Sequence, residues 1–175
     1  MERGALRTAV RTAPPAWTCL AVLTLVLTGC STPTTAGAHG DGQTQLKAAA
    51  QAARAYQQAN VDRDYEAVCR AVTEGMRQHV GRKDVAECAE FIAVPYRHRI
   101  NPDARVSTAD AVEVEAHGRH PAGIGVRVTT DAGLAPHHMA LRLVQDEQGV
   151  WLVDQNVYLE ESTGTKAVRA ALSRG

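Results

Sequence analysis

Two hydrophobic periods divide the chain. Between residues 46 and 60, Leu46, Ala49, Ala53, Tyr56 and Asn60 recur at steps of three or four, with Ala and Gln between. That spacing is one face of an α-helix. Asp62 to Asp64 interrupts it and offers a cap for a second short stripe, Tyr65, Val68, Cys69 and Val72. Gly75 and Gly81 punctuate a looser stretch holding Met76 and Val80. Asp84 then caps a third helix with Val85, Cys88, Phe91 and Ile92 on one face, and Pro95 ends it. From Arg105 the period becomes two. Val106, Val112, Val114 and Ala116 share one parity, as do Ile124, Val126, Val128 and Thr130. Met139, Leu141 and Leu143 share theirs, and so do Trp151, Val153, Val157 and Leu159. The turns HGRHPAG, DAGLAP and DEQG separate the four runs. The pattern predicts an antiparallel meander with one buried face. Three N-terminal helices followed by such a sheet make an α+β fold.

The last turn sets a register. Asp146-Glu147-Gln148-Gly149 suits a type I turn with a left-handed Gly149 and a bulge. It pairs Asp146 with Val150, and so Leu143 with Val153. Strict alternation from there turns Trp151, Val153, Gln155, Val157 and Leu159 inward. Asp154, Asn156 and Tyr158 then point out.

The front of the chain reads differently. Arg3, Arg7 and Arg11 face one acid, Glu2, and an apolar run from Trp17 to Gly29 follows. That is the order of a secretory signal, and the run is short for a membrane-spanning helix. Its end, Leu27-Thr28-Gly29-Cys30, resembles the lipobox of bacterial lipoproteins. The resemblance implies cleavage before Cys30 and a diacylglycerol on its thiol. Residues 1–29 are then a signal peptide. Residues 30–44, almost free of large apolar side chains, are a flexible lipidated tether. A folded domain over 45–160 and a C-terminal tail over 161–175 complete the organisation. Two acyl chains hold such a protein on its membrane, which places it at the extracytoplasmic face of the cell membrane.

Composition narrows the classes. Without the leader the chain carries a net charge of about −2, which leaves no general footprint for nucleic acid. Cys19 leaves with the signal and Cys30 takes the lipid, so Cys69 and Cys88 remain. An even count in an exported domain reads as a disulfide, here joining the second predicted helix to the third. Neither cysteine has a companion ligand at metal spacing. Seven histidines raise a metal question. His117 and His120 fall in the first turn and His137 and His138 after the second. Successive meander turns lie at opposite ends of a sheet, about 25 Å apart for an eight-residue strand, so they form no single four-ligand site. No cofactor is expected. Residues 96–99, YRHR, are a small basic patch read as a solvated face.

The stretches AYQQANVDRDYEAVC and DEQGVWLVDQ, with the order of elements between them, resemble the nuclear transport factor 2-like (cystatin-like cone) superfamily. The first looks like its opening helix and acidic turn, the second like its closing hairpin. The paired cysteines are similar to those of small actinobacterial lipoproteins with a SnoaL-like domain. The resemblance covers roughly residues 45–160. It implies a bent sheet wrapped round the first helix, leaving a pocket. Members include isomerases, dehydratases and polyketide cyclases, and others that only bind ligands or partners, so the fold does not give the function.

Pocket candidates follow. Ketosteroid isomerase, a member of the superfamily, has a Tyr eight residues before the turn Asp; here Tyr56 stands eight before Asp64. In that enzyme a Tyr and a protonated Asp form the oxyanion hole and another Asp is the base, a worked example of tuned carboxyls. Its two acids have no counterpart by motif. The plainer reading of Tyr56 is a packing aromatic with its hydroxyl at the pocket rim. Asp110 lies on the apolar parity of the first strand and His137 on that of the third. Folded at the turns, Asp110, Thr130 and His137 come near one end of the sheet. Asp110 and His137 are then about 10 Å apart, close enough for a water or substrate to bridge as base and acid. The plainer reading leaves Asp110 in a solvated turn and His137 exposed. Gln155 points inward and orients a ligand or satisfies a backbone group. The sequence therefore favours a lipid-anchored module that binds a small apolar ligand or a partner protein without catalysis. An isomerase or dehydratase using Tyr56, Asp110 and His137 is the alternative, and a structural homodimer a third.

Overall fold

The computed structural model of the chain describes residues 38–94, 103–133, 135–160 and 163–174. Cys30, the leader and the YRHR patch lie outside the described residues. All the described residues belong to one unit, Thr35–Gly175. Helix α1 (Ala38–Asp62) opens it. The helix begins inside the stretch expected to be tether, whose Ala- and Gln-containing end continues the helical run.

Three short helices follow, each started by a side-chain cap. Helix α2 (Tyr65–Arg70) is capped by Asp64, which accepts from Ala67 N. Helix α3 (Glu74–His79) is capped by Thr73, accepting from Met76 N. It fills the stretch that the glycines made look loose. Helix α4 (Val85–Ala93) is capped by Asp84, accepting from Glu87 N. Such caps satisfy donors that the first helical turn leaves open. The disulfide Cys69–Cys88 joins α2 to α4, with Cα atoms 5.9 Å apart.

Strands β1 (Arg105–Val114), β2 (Gly123–Asp131), β3 (His137–Gln145) and β4 (Trp151–Leu159) form an open antiparallel sheet in the order β1-β2-β3-β4. The fold is α+β, as the change of period implied. The last hairpin has the expected register. Asp146 N donates to Val150 O, Gly149 sits at φ 79°, and Leu143 pairs with Val153.

Strict alternation fails in both edge strands. In β1, Ala109 pairs with Arg127 and Val112 with Gly125, so Asp110 and Ala111 together oppose Val126. Asp110 takes φ 54°, which Asp tolerates better than most side chains. In β4, Leu143 pairs with Val153 but Arg142 with Gln155, leaving Asp154 as an extra residue. Each extra residue is a β-bulge, and it transfers every later side chain to the other face.

Both faces are therefore buried. On one, Val106, Ile124, Val126, Val128, Leu141, Leu143 and Val153 pack with Ala49, Ala53 and Tyr56 of α1. On the other, Val112, Val114, Ala140 and Leu159 pack under a fifth helix, α5 (Thr165–Leu172), through Val168, Ala171 and Leu172. The segment expected to be a tail is thus half of a second core. Gly125 lies between the two: a Cβ there would stand 2.8 Å from Val168 Cγ1 and 2.9 Å from Leu172 Cδ1. The absent side chain lets α5 approach the sheet.

Candidate functional site

An open cavity of about 390 Å³ lies between the C-terminal part of α1 and one end of the sheet. Helical spacing puts Tyr56, Gln57, Asn60 and Val61 along its helix wall, and Arg63 and Tyr65 follow across the break into α2. Thr130, Met139 and Asn156 supply the sheet wall. Part of the polar lining is tied up internally. Gln57 Nε2 donates to Thr130 Oγ1 at 3.0 Å, and Asn60 Nδ2 to the Tyr56 carbonyl at 3.1 Å. Tyr56 is buried, with 6 % of its surface exposed, and belongs to the α1-side core.

Tyr56 alone of the four pocket candidates lines this cavity. Asp110 lies on the α5 side. Its Oδ2 accepts from Arg127 Nε at 2.7 Å and from Gly164 N, just before α5, at 3.1 Å. It ties the bulge to the start of the helix. His137 pairs with Thr130, which does line the cavity, but its own ring is exposed and packs edge-on against Tyr158, centroids 6.2 Å apart. Asp110 and His137 thus do not form a pair across a pocket; the bulge put the carboxylate on the other face. Gln155 is also a correction. Beyond the Asp154 bulge it turns away from the cavity, and Asn156, expected outside, lines it instead.

Sequence reasoning missed the centre of the α5 side. Arg142 is 1 % exposed. Its Nε donates to Gln155 Oε1, its Nη1 to the carbonyls of Glu115 and Pro121, and its Nη2 to that of Leu172. Burial pushes the guanidinium below its ordinary value, and the Asp154 carboxylate acts against that shift. Asp154 itself accepts from His120 Nδ1 at 2.7 Å and from Thr73 Oγ1 at 3.1 Å. This cluster fastens the first turn, the start of α3 and the α5 C-terminus to the β4 bulge. Its polar groups serve one another, which is how buried polar groups are retained. The one available signal was an arginine between Leu141 and Leu143, which the expectation of a solvated outer face absorbed.

Among the described residues no group of three or more His, Cys, Asp or Glu side chains is placed to hold a metal ion. No helix among them is long and apolar enough to cross a membrane. Comparison with protein families, curated proteins and solved structures returned no match.

Proposed function

We propose that this chain is an extracytoplasmic lipoprotein, anchored through Cys30, whose folded unit is a nuclear transport factor 2-like binding module without catalysis. Its ligand is a small, largely apolar molecule held between α1 and the sheet. The observation that carries the reading is the make-up of the cavity wall. Met139, Val61 and the Tyr56 ring give apolar surface, and amides, hydroxyls and the Arg63 guanidinium surround it. A few polar groups on an apolar wall suit ligand binding. The isomerase reading needs an acid and a base beside Tyr56, and Asp110 and His137 lie elsewhere. The order of helices before the antiparallel sheet, with α1 packed on it, supports the superfamily assignment. A sheet closing round α1 as a cone belongs to the same proposal. The Cys69–Cys88 disulfide supports export, since such bonds persist in oxidising compartments.

Native mass spectrometry of the full-length protein, exported in an actinobacterial host and released from the membrane in mild detergent, tests the ligand. A stoichiometric extra mass, lost on denaturation, is expected. A bare protein mass overturns the ligand reading and leaves an interaction module, its monomer or dimer state read from the same spectrum. Cys30→Ala tests the anchor: the protein is expected unprocessed or released into the medium. Unchanged cleavage and membrane retention would refute it.

A further inference from the structure

We infer that the cavity ligand is a small organic anion, an apolar body bearing one carboxylate, and that Arg63 receives the carboxylate. The inference rests on the binding reading above and names its ligand class. Among the described residues lining the cavity, Arg63 is the one that carries charge at neutral pH. A guanidinium on a partly desolvated wall favours an anionic group on the ligand. Five donors let it serve a ligand alongside an internal partner.

The backbone position is the second observation. Helix α1 ends at Asp62, Asp64 N closes back on the Ala59 carbonyl, and Arg63 stands at φ 62°. Helix ends of this shape favour glycine, because a Cβ is strained there. A long cationic side chain occupies the position instead, and it lines the cavity. Strain held in place by the surrounding fold is concentrated at binding sites.

Tyr65 gives a third, independent observation. It lines the same cavity, and its hydroxyl is buried with no hydrogen-bond partner among the described residues. A buried phenol without an acceptor is uncommon and points to a missing one. A carboxylate accepts from a guanidinium and a phenol together, through charge-assisted bonds stronger than neutral ones. The charged donor of the lining, Arg63, and the unsatisfied Tyr65 hydroxyl mark the polar end, two residues apart across the break between α1 and α2. Met139, Val61 and the Tyr56 ring are left for the apolar body.

The test titrates the full-length lipoprotein in detergent with 3-phenylpropanoate and with 3-phenylpropan-1-ol, each corrected against protein-free micelles. The wild type is expected to bind the acid at least about tenfold tighter than the alcohol. Arg63→Gly suits the backbone at this position, so it folds; it is expected to lose the preference and keep the alcohol. Raised salt should weaken only the acid. Equal binding of both probes, unchanged in Arg63→Gly, overturns the carboxylate assignment and leaves the binding reading standing. Binding of neither probe also overturns it, and the binding reading is then decided separately by the copurified mass.

Discussion

Arg142 Nε donates to Gln155 Oε1 at 3.0 Å, and both side chains are buried on the face of the sheet opposite Tyr56. The same guanidinium holds the Glu115, Pro121 and Leu172 carbonyls. Arg142→Met keeps much of the volume and orphans all four acceptors. The expected loss is about 4 kcal/mol, read as a lower urea midpoint at unchanged slope. Arg142→Lys should recover little, because an ammonium does not reproduce the fork. The lowered proton affinity of this guanidinium brings no pH dependence with it. A base held below its ordinary value carries its burial penalty wherever both folded and unfolded states are protonated. For arginine that is the whole acid and neutral range.

Asp110 is expected to matter for stability and not for the cavity. Asp110→Asn tolerates the left-handed backbone and can still accept from Gly164 N, but loses the ion pair with Arg127. That pair is partly exposed, so the expected cost is about 1 kcal/mol by denaturant unfolding. Ligand affinity in Asp110→Asn should equal that of the wild type. A loss of affinity with stability intact would restore the carboxylate to the site.

Gly125→Ala tests how closely α5 is seated. The new methyl would meet Val168, Leu172 and Val114, all closer than 3.0 Å. Overpacking of this kind costs about 1–3 kcal/mol. Hydrogen exchange should speed up over residues 165–172 while α1 stays protected.

Reduction of Cys69–Cys88 should raise the intact mass by two hydrogens and lower stability by about 3 kcal/mol, from the loop the bond closes. Thermal unfolding with and without reductant measures it. Unequal loss of α2 and α4 is not expected, since the bond holds each to the other.

What the sequence made legible was local chemistry. Asp146 and Gly149 fix their hairpin within five residues, so its register could be read directly. The helix caps at Asp64 and Asp84 were visible for the same reason. The bulges at Asp110 and Asp154 were not, because an apolar alternation continues to look regular across one extra residue. Val112 and Val157 therefore seemed to belong with Val106 and Val153, although each pair is split between the two faces. Helix α5 did carry a signal: Val168, Ala171 and Leu172 stand three and four apart. It was eclipsed by the expectation of a single buried face, which left a C-terminal helix nothing to cover. Arg142 carried only its place between Leu141 and Leu143 as a signal, since its partners come from residues distant in the chain.

The two bulges give the edge strands something like a reading frame. Asp110 and Asp154 stand outside the alternating series, as single inserted letters that shift how the rest is read. Deleting a residue from a strand ordinarily inverts everything downstream. Here the sense is reversed. Removing Asp154 leaves Gln155 toward Arg142 and Asn156 toward the cavity, and straightens the ladder between them. The deletion forfeits what the aspartate itself does for His120, Thr73 and the Arg142 charge. One residue added between positions 155 and 159 would be the more disruptive edit. It would carry Leu159 out of the α5 core and onto the wrong side of the sheet.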